Sequence, residues 1–371
     1  MRRALLMALV VAVSLTPTAA EAACGWTVVP TPTKGTTFDN FSAGIDYASR
    51  SDGWVVGYYW GGTSPSTPFT MHWDGTAWKM RKTPNPDGAA TLSDVTVLRD
   101  GTAWAVGQTY DTSRPFRLFW NGRRWERVEG PRNEPATASL AEVDARGPND
   151  VWVVGSADGK ALVEHWNGVR WRKVAFPDVD TNESLRTLAV VPRSRKVWVG
   201  GSYSGSVTQA PLAAMWTGKK WRVSTVPNPA PQASIQAFGV VASDDIWGIG
   251  YQTGLPNTWG TFASHWNGSA WATEETPHPS TGFPGEFIYG AAAVSSMKVY
   301  GAGSTYVSAD TSYDPLVIRW DGASWLDVTP TTSAASFEFR DATRIPGTKQ
   351  VAFVGFQRIS DRYETRVVRG C

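Results

Sequence analysis

The chain has 371 residues, a net charge of +2 and only two cysteines. No basic block longer than "RSRK" at 193–196 stands out, so nucleic-acid binding has no electrostatic footprint. The anomaly is twenty tryptophans, and they recur at regular intervals.

The chain opens "MRRALLMALVVAVSLTPTAAEAAC". Arg2 and Arg3 precede an apolar run from Ala4 to Leu15, and Ala20-Glu21-Ala22 offers small residues for cleavage. Residues 1–22 therefore read as a secretion signal, and no later apolar run reaches membrane length. The expected product is secreted, extracellular and not inserted in a membrane. The alternative is a lipid anchor on Cys24, although Glu21 stands where that signal usually has an aliphatic residue.

Next comes "CGWTVVPTP" at 24–32, a lone strand, and then a repeat. "HWNGVRWRKV" at 165–174 has counterparts ending at Trp78, Trp125, Trp221, Trp271 and Trp325. In each, Asn-Gly, Asp-Gly or Thr-Gly lies between two tryptophans. Asn-Gly and Asp-Gly are strong hairpin signals, and a type I′ turn with two positive φ values is expected between Trp166 and Trp171. About twenty residues upstream of each hairpin stands a Gly-ending stretch such as "GWVVG" (Trp54) or "VWVVG" (Trp152), preceded by a small and aliphatic run such as "LAEVDA". Each period thus carries four strand signals and no amphipathic helix, the content of one propeller blade.

Six hairpins but seven upstream strands are present, because the last period ends "YETRVVRGC". The missing fourth strand is at the other end of the chain, with Trp26 in the position of Trp325. The expected fold is all-β: one seven-bladed propeller over 24–371, its seventh blade built from 24–32 and about 333–371. Cys24 and Cys371 fall where that blade's hairpin connection would be and read as a disulfide closing the ring. Eighteen tryptophans fall on this lattice, as wedges between blades.

With seven blades of about 50 residues, a Gly-ending second strand and a Trp after a turn, the chain resembles the kelch and galactose-oxidase propeller superfamily. The "DVWVVG…HWNGxxWxxV" pattern most resembles secreted actinobacterial propellers. Only Gly200-Gly201 matches the kelch glycine doublet, and the Asp box of sialidases is not matched. The galactose-oxidase copper site that the resemblance implies needs a Cys-Tyr crosslink and two His ligands. Here the cysteines are committed elsewhere. His72, His165 and His265 occupy one equivalent position on three blades and cannot converge on a metal. His278 stands alone and reads as solvated. No cofactor, metal or catalytic residue is assigned.

Two groups of residues remain. Asp94, Glu142, Arg186, Glu338 and Arg340, with Asp46, sit in first strands and are expected to ring the mouth of the central channel, as a solvated lining or as a site. Tyr58, Tyr59, Trp60, Tyr110, Tyr203, Tyr251, Trp259 and Tyr306, with Tyr313, fall in the connections between second and third strands. Those connections lie on the same face as the channel mouth and suit recognition of an extracellular glycan or protein. The expectation is a monomeric, non-catalytic binding or scaffold protein. The alternative is a sialidase-like carbohydrate-active hydrolase or lyase using the channel carboxylates.

Overall fold

The computed structural model describes residues 25–370, except 36, 63–64, 87–88, 111–112, 136, 206–207, 255–257, 279–284, 308–311 and 331–335. The signal segment 1–22, Cys24 and Cys371 lie outside the described residues, and so does the disulfide expected between the two cysteines.

Seven four-stranded antiparallel sheets follow one another around a ring. Their first strands are Asp39–Ser49, Ala90–Val97, Ala138–Gly147, Asn182–Val190, Ala233–Ala242, Glu286–Ser295 and Phe337–Arg344, which open blades one to seven in that order. The seventh sheet takes its fourth strand, Thr27–Val29, from the beginning of the chain. It pairs with Arg362–Gly370 in the register Thr27↔Arg369 to Val29↔Val367.

The hairpins end where expected but turn differently. Trp166 pairs with Trp171 and Trp73 with Trp78, leaving four-residue loops. Only the glycines have positive φ, for example Gly168 at 90° and Gly75 at 95°. The Asn167 carboxamide oxygen accepts the N–H groups of Val169 and Arg170, so the side chain does the work of a second left-handed residue and a type I′ turn is not formed.

Tryptophans build the wall. At five junctions, the second-strand Trp of one blade meets the third- and fourth-strand Trp of the next: Trp54 with Trp120 and Trp125, and so on to Trp247 with Trp320 and Trp325. Ring centroids lie 4.7–6.4 Å apart across these five boxes, with the fourth-strand ring nearly edge-on to its partner. Such geometry adds about 0.5–1.5 kcal/mol per pair beyond burial.

The two junctions beside blade seven lack the box. Trp26 meets Tyr300 there, with Gly370 beneath its ring, and Ala352 stands where a second-strand Trp would be. Arg369 fills the gap on the other side, stacked over Trp73 at 4.1 Å and donating to the Tyr47 hydroxyl at 2.7 Å.

The histidines belong to the same wall. His72, His165 and His265 each bond an aspartate of their own blade, at 2.8–2.9 Å, and lie against its second-strand Trp. His278 is not simply solvated. Its Nδ1 pairs with the buried Glu286 at 2.9 Å.

Candidate functional site

Every first strand carries a β-bulge at the same height. The register slips between Ser42 and Gly44, Leu92 and Asp94, Leu140 and Glu142, and at the equivalent step of the other four blades. A bulge turns its extra residue out of the pleat. The seven extra residues are Ala43, Ser93, Ala141, Arg186, Gln236, Tyr289 and Arg340, and all seven line one central cavity of about 130 Å³.

The bulge also explains the glycine that ends each second-strand repeat. Gly57 lies opposite Ser42, and a methyl group added there would overlap the carbonyl oxygen of Phe41. The same collision awaits Gly107, Gly155, Gly201, Gly250, Gly303 and Gly355. Glycine is there because the bulged first strand pushes a carbonyl into it.

Next to the bulge ring, carboxylates tie blade to blade. Asp46 accepts the Val97 N–H, Asp94 that of Val143, Asp144 that of Val190 and Asp341 that of Ile45, at 2.7–2.8 Å. Glu142 accepts the Leu188 N–H at 3.1 Å. First strands have no strand partner on their inner edge, and these oxygens satisfy the exposed amides of the neighbouring blade. Burial pushes Asp46 up to about 6, and Asp144 and Asp341 to about 7; it also raises Asp94 and Glu142 well above the usual carboxylate range. Asp94 and Glu142, expected at the channel mouth, thus sit in its wall with a structural task. Among the described residues, no three His, Cys, Asp or Glu side chains are grouped to hold a metal ion.

Arg186, Arg340 and Glu338 fit the mouth more closely. Arg340 donates to Glu338 at 2.6 Å and lies over the Tyr289 ring at 4.6 Å. Even so, 40 % of its side-chain surface remains accessible. Arg186 projects into the same cavity and, among the described residues, makes no hydrogen bond or ion pair. Sequence reasoning missed Gln236, Tyr289 and Ser93. Their signal was positional, since each bulge residue stands fourteen or fifteen places before its blade's second-strand glycine.

The aromatics expected in connections mostly extend the strands instead. Tyr58, Tyr59 and Trp60 end the strand Asp52–Trp60, Tyr203 lies in Val197–Ser204, Tyr251 in Asp245–Gly254, Trp259 in Thr258–Trp266, Tyr306 in Lys298–Val307 and Tyr313 in Ser312–Trp320. Aromatic rings suit a pleated, half-buried surface and prolong it. Several pack on one another. Trp259 and Tyr251 both contact Phe287, Tyr306 pairs with Tyr313, Tyr59 lies against Phe38 and Tyr203 joins the core of its blade.

Three do converge. Tyr58, Trp60 and Tyr110, with Phe41, Pro65, Ser66 and Ala89, line a groove of about 530 Å³ between blades one and two. Trp60 is 42 % and Tyr110 55 % exposed. The groove leads toward the channel: Tyr58 stacks on Phe41 at 5.3 Å, Phe41 on Phe356 at 4.9 Å, and Arg340 lies 5.9 Å above Phe356. A larger groove of about 680 Å³ runs between blades two and three, lined by Trp166, Arg132 and Arg170 among others. Beside it Arg117 is buried between Glu134 and Glu164, an ion cluster that belongs to the packing of those blades.

No protein-family model and no curated protein matches the chain. Solved propellers match its shape. A structure of YCF48 bound to D1 peptide aligns with a TM-score of 0.57 at 14 % identity, covering 93 % of this chain and 96 % of that one. A polysaccharide lyase, the PL25 ulvan lyase bound to -[GlcA(1-4)Rha3S]-, aligns with a TM-score of 0.52 at 11 % identity, covering 90 % and 97 %. At such identities the likeness is one of fold, and the chain is a seven-bladed β-propeller closed by its own N- and C-terminal strands.

Proposed function

We propose that this is an exported, non-catalytic binding propeller that holds a glycan on the face where its first strands begin. The observation that carries the reading is the groove between blades one and two. Its volume of about 530 Å³ falls in the range of small-ligand sites, and it presents the exposed rings of Trp60 and Tyr110. Aromatic rings bind the apolar faces of sugars, and Ser66 adds a hydroxyl at the wall. Propellers of similar shape bind a peptide in one case and act on a polysaccharide in another, which supports this face as a place for an extended ligand. The blade pattern also supports kinship with the kelch and galactose-oxidase superfamily.

The test is a glycan array with the purified chain beside Trp60→Ala and Tyr110→Ala. Binding that both variants lose supports the groove. Binding that both retain overturns it, and cleavage of a bound glycan would replace this reading with a hydrolase or lyase. A silent array, with a peptide captured through Trp60, would make the ligand a protein segment.

Export and the disulfide form part of the proposal. Cys24 lies three residues before Thr27 and Cys371 two beyond Arg369, and Thr27 and Arg369 are paired. Intact mass before and after reduction should show a gain of two hydrogens. A free thiol, or lipid on Cys24, would refute the bridge.

A further inference from the structure

We propose that Arg186 and Arg340 form a subsite in the channel for an oxyanion of the ligand, a carboxylate or sulfate group carried by the glycan in the groove. The inference rests on the groove reading for its glycan and on the channel for its charge.

All seven blades build the same bulge and aim one side chain at the same cavity, yet those side chains differ. Blades one to three contribute Ala43, Ser93 and Ala141, and blades four to seven Arg186, Gln236, Tyr289 and Arg340. A ring that needed only to fill its centre would place apolar groups there. Instead, one arc is small and the other polar, with two cations in it.

Arg186 has no partner among the described residues, although it stands in a confined space. A guanidinium without a carboxylate or carbonyl in such a place is poised for an incoming acceptor. Arg340 gives one arm to Glu338 and is held flat against Tyr289, so its plane is fixed before any ligand arrives. Preorganisation of that kind lowers the ordering cost of binding.

The carboxylates in the cavity wall do not cancel this charge. Asp94, Glu142 and Asp341 each turn an oxygen to a backbone N–H of the next blade, and burial favours their neutral forms. At about 130 Å³, the cavity holds roughly four waters at ~30 Å³ each. That is room for a charged group, not for a whole oligosaccharide, and it places the neutral part of the ligand outside, toward Phe41 and Tyr58.

The experiment is calorimetric titration of the chain, Arg186→Gln and Trp60→Ala with glucose, glucuronic acid, glucose 6-sulfate and inorganic sulfate. Arg186 has no partner to abandon, so its variant should fold with an unchanged melting temperature. The wild type is expected to bind an acidic sugar about tenfold more tightly than glucose. Arg186→Gln should lose that preference and its sulfate binding. The arm that binds, uronic acid or sulfate ester, identifies the oxyanion.

Equal affinity for acidic and neutral sugars would overturn the subsite while leaving the groove intact. So would acid or sulfate binding unaffected by Arg186→Gln, or no acid or sulfate binding at all. Acid binding that Trp60→Ala leaves untouched and Arg186→Gln abolishes would keep the subsite and discard the groove.

Discussion

The tryptophan wall and the bulge ring are both products of the same repeat, and they use it in opposite ways. In the wall, side chain and position recur together: Trp54, Trp104, Trp152, Trp198 and Trp247 each meet the same pair of rings on the next blade. In the ring, only the backbone recurs, and the residue it delivers ranges from Ala43 to Arg340. Where a repeated position keeps its residue, the fold requires it. Where the conformation is kept and the residue changes, the position is open to specialisation, and here the changes cluster on one arc.

Perturbing each region should separate these roles. The largest effect is expected from Trp247→Ala. It empties a box with almost no exposure and should cost about 3–5 kcal/mol in denaturant unfolding, with ligand affinity of the folded protein unchanged. Loss of affinity at equal folded fraction would show that wall and ring are not separable.

Gly201→Ala links the two regions. The added methyl collides with the carbonyl of Ser184, and the strand that carries Arg186 must move. We expect a loss of about 2–3 kcal/mol together with the loss of acidic-sugar preference. Full stability would mean that the bulge yields at no cost.

Smaller still is a pH effect. Asp46, Asp144 and Asp341 have folded-state values raised to about 6 or 7, so between pH 4 and 7 the folded protein binds more protons than the unfolded chain. Their contribution to stability is fully present below the unfolded value near 4 and is lost as pH rises through the folded values. The melting temperature should fall by a few degrees between pH 5 and 8, and Asp144→Asn should flatten that slope. A slope unchanged in Asp144→Asn would remove this carboxylate from the account. The smallest effect on stability is expected from Arg186→Gln, within about 0.5 kcal/mol, because no contact is broken.

The same contrast explains what could be read from the sequence. Periodic tryptophans and Gly-bearing turns reveal blade number, strand order and the split seventh blade, because those features rest on residue identity. The bulge ring is periodic only in backbone, so Gln236 and Tyr289 carry no recurring letter. Arg186 and Arg340 drew notice by charge alone. Charge also misled: Asp94 and Glu142 look like channel-mouth acids until their partners prove to be backbone amides one blade away. Among the aromatics, identity could not tell which rings pack on neighbours, as Trp259 does, from those that face the groove, as Trp60 does.

The two junctions without tryptophan boxes give the ring a seam. Blade seven is held on one side by Trp26, Tyr300 and Phe353, and on the other by Ala352, Arg369 and a few polar ties such as Thr31 to the Thr365 carbonyl. Five stiff joints and two softer ones make a clasp, and the clasp is the blade that carries Arg340. Amide hydrogens of Thr27–Val29 should therefore exchange with deuterium ahead of other fourth strands such as Trp271–Glu274. Uniform exchange around the ring would mean there is no seam. Each opening of the clasp would draw Arg340 away from Arg186, so a ligand gripped by both would hold the ring shut.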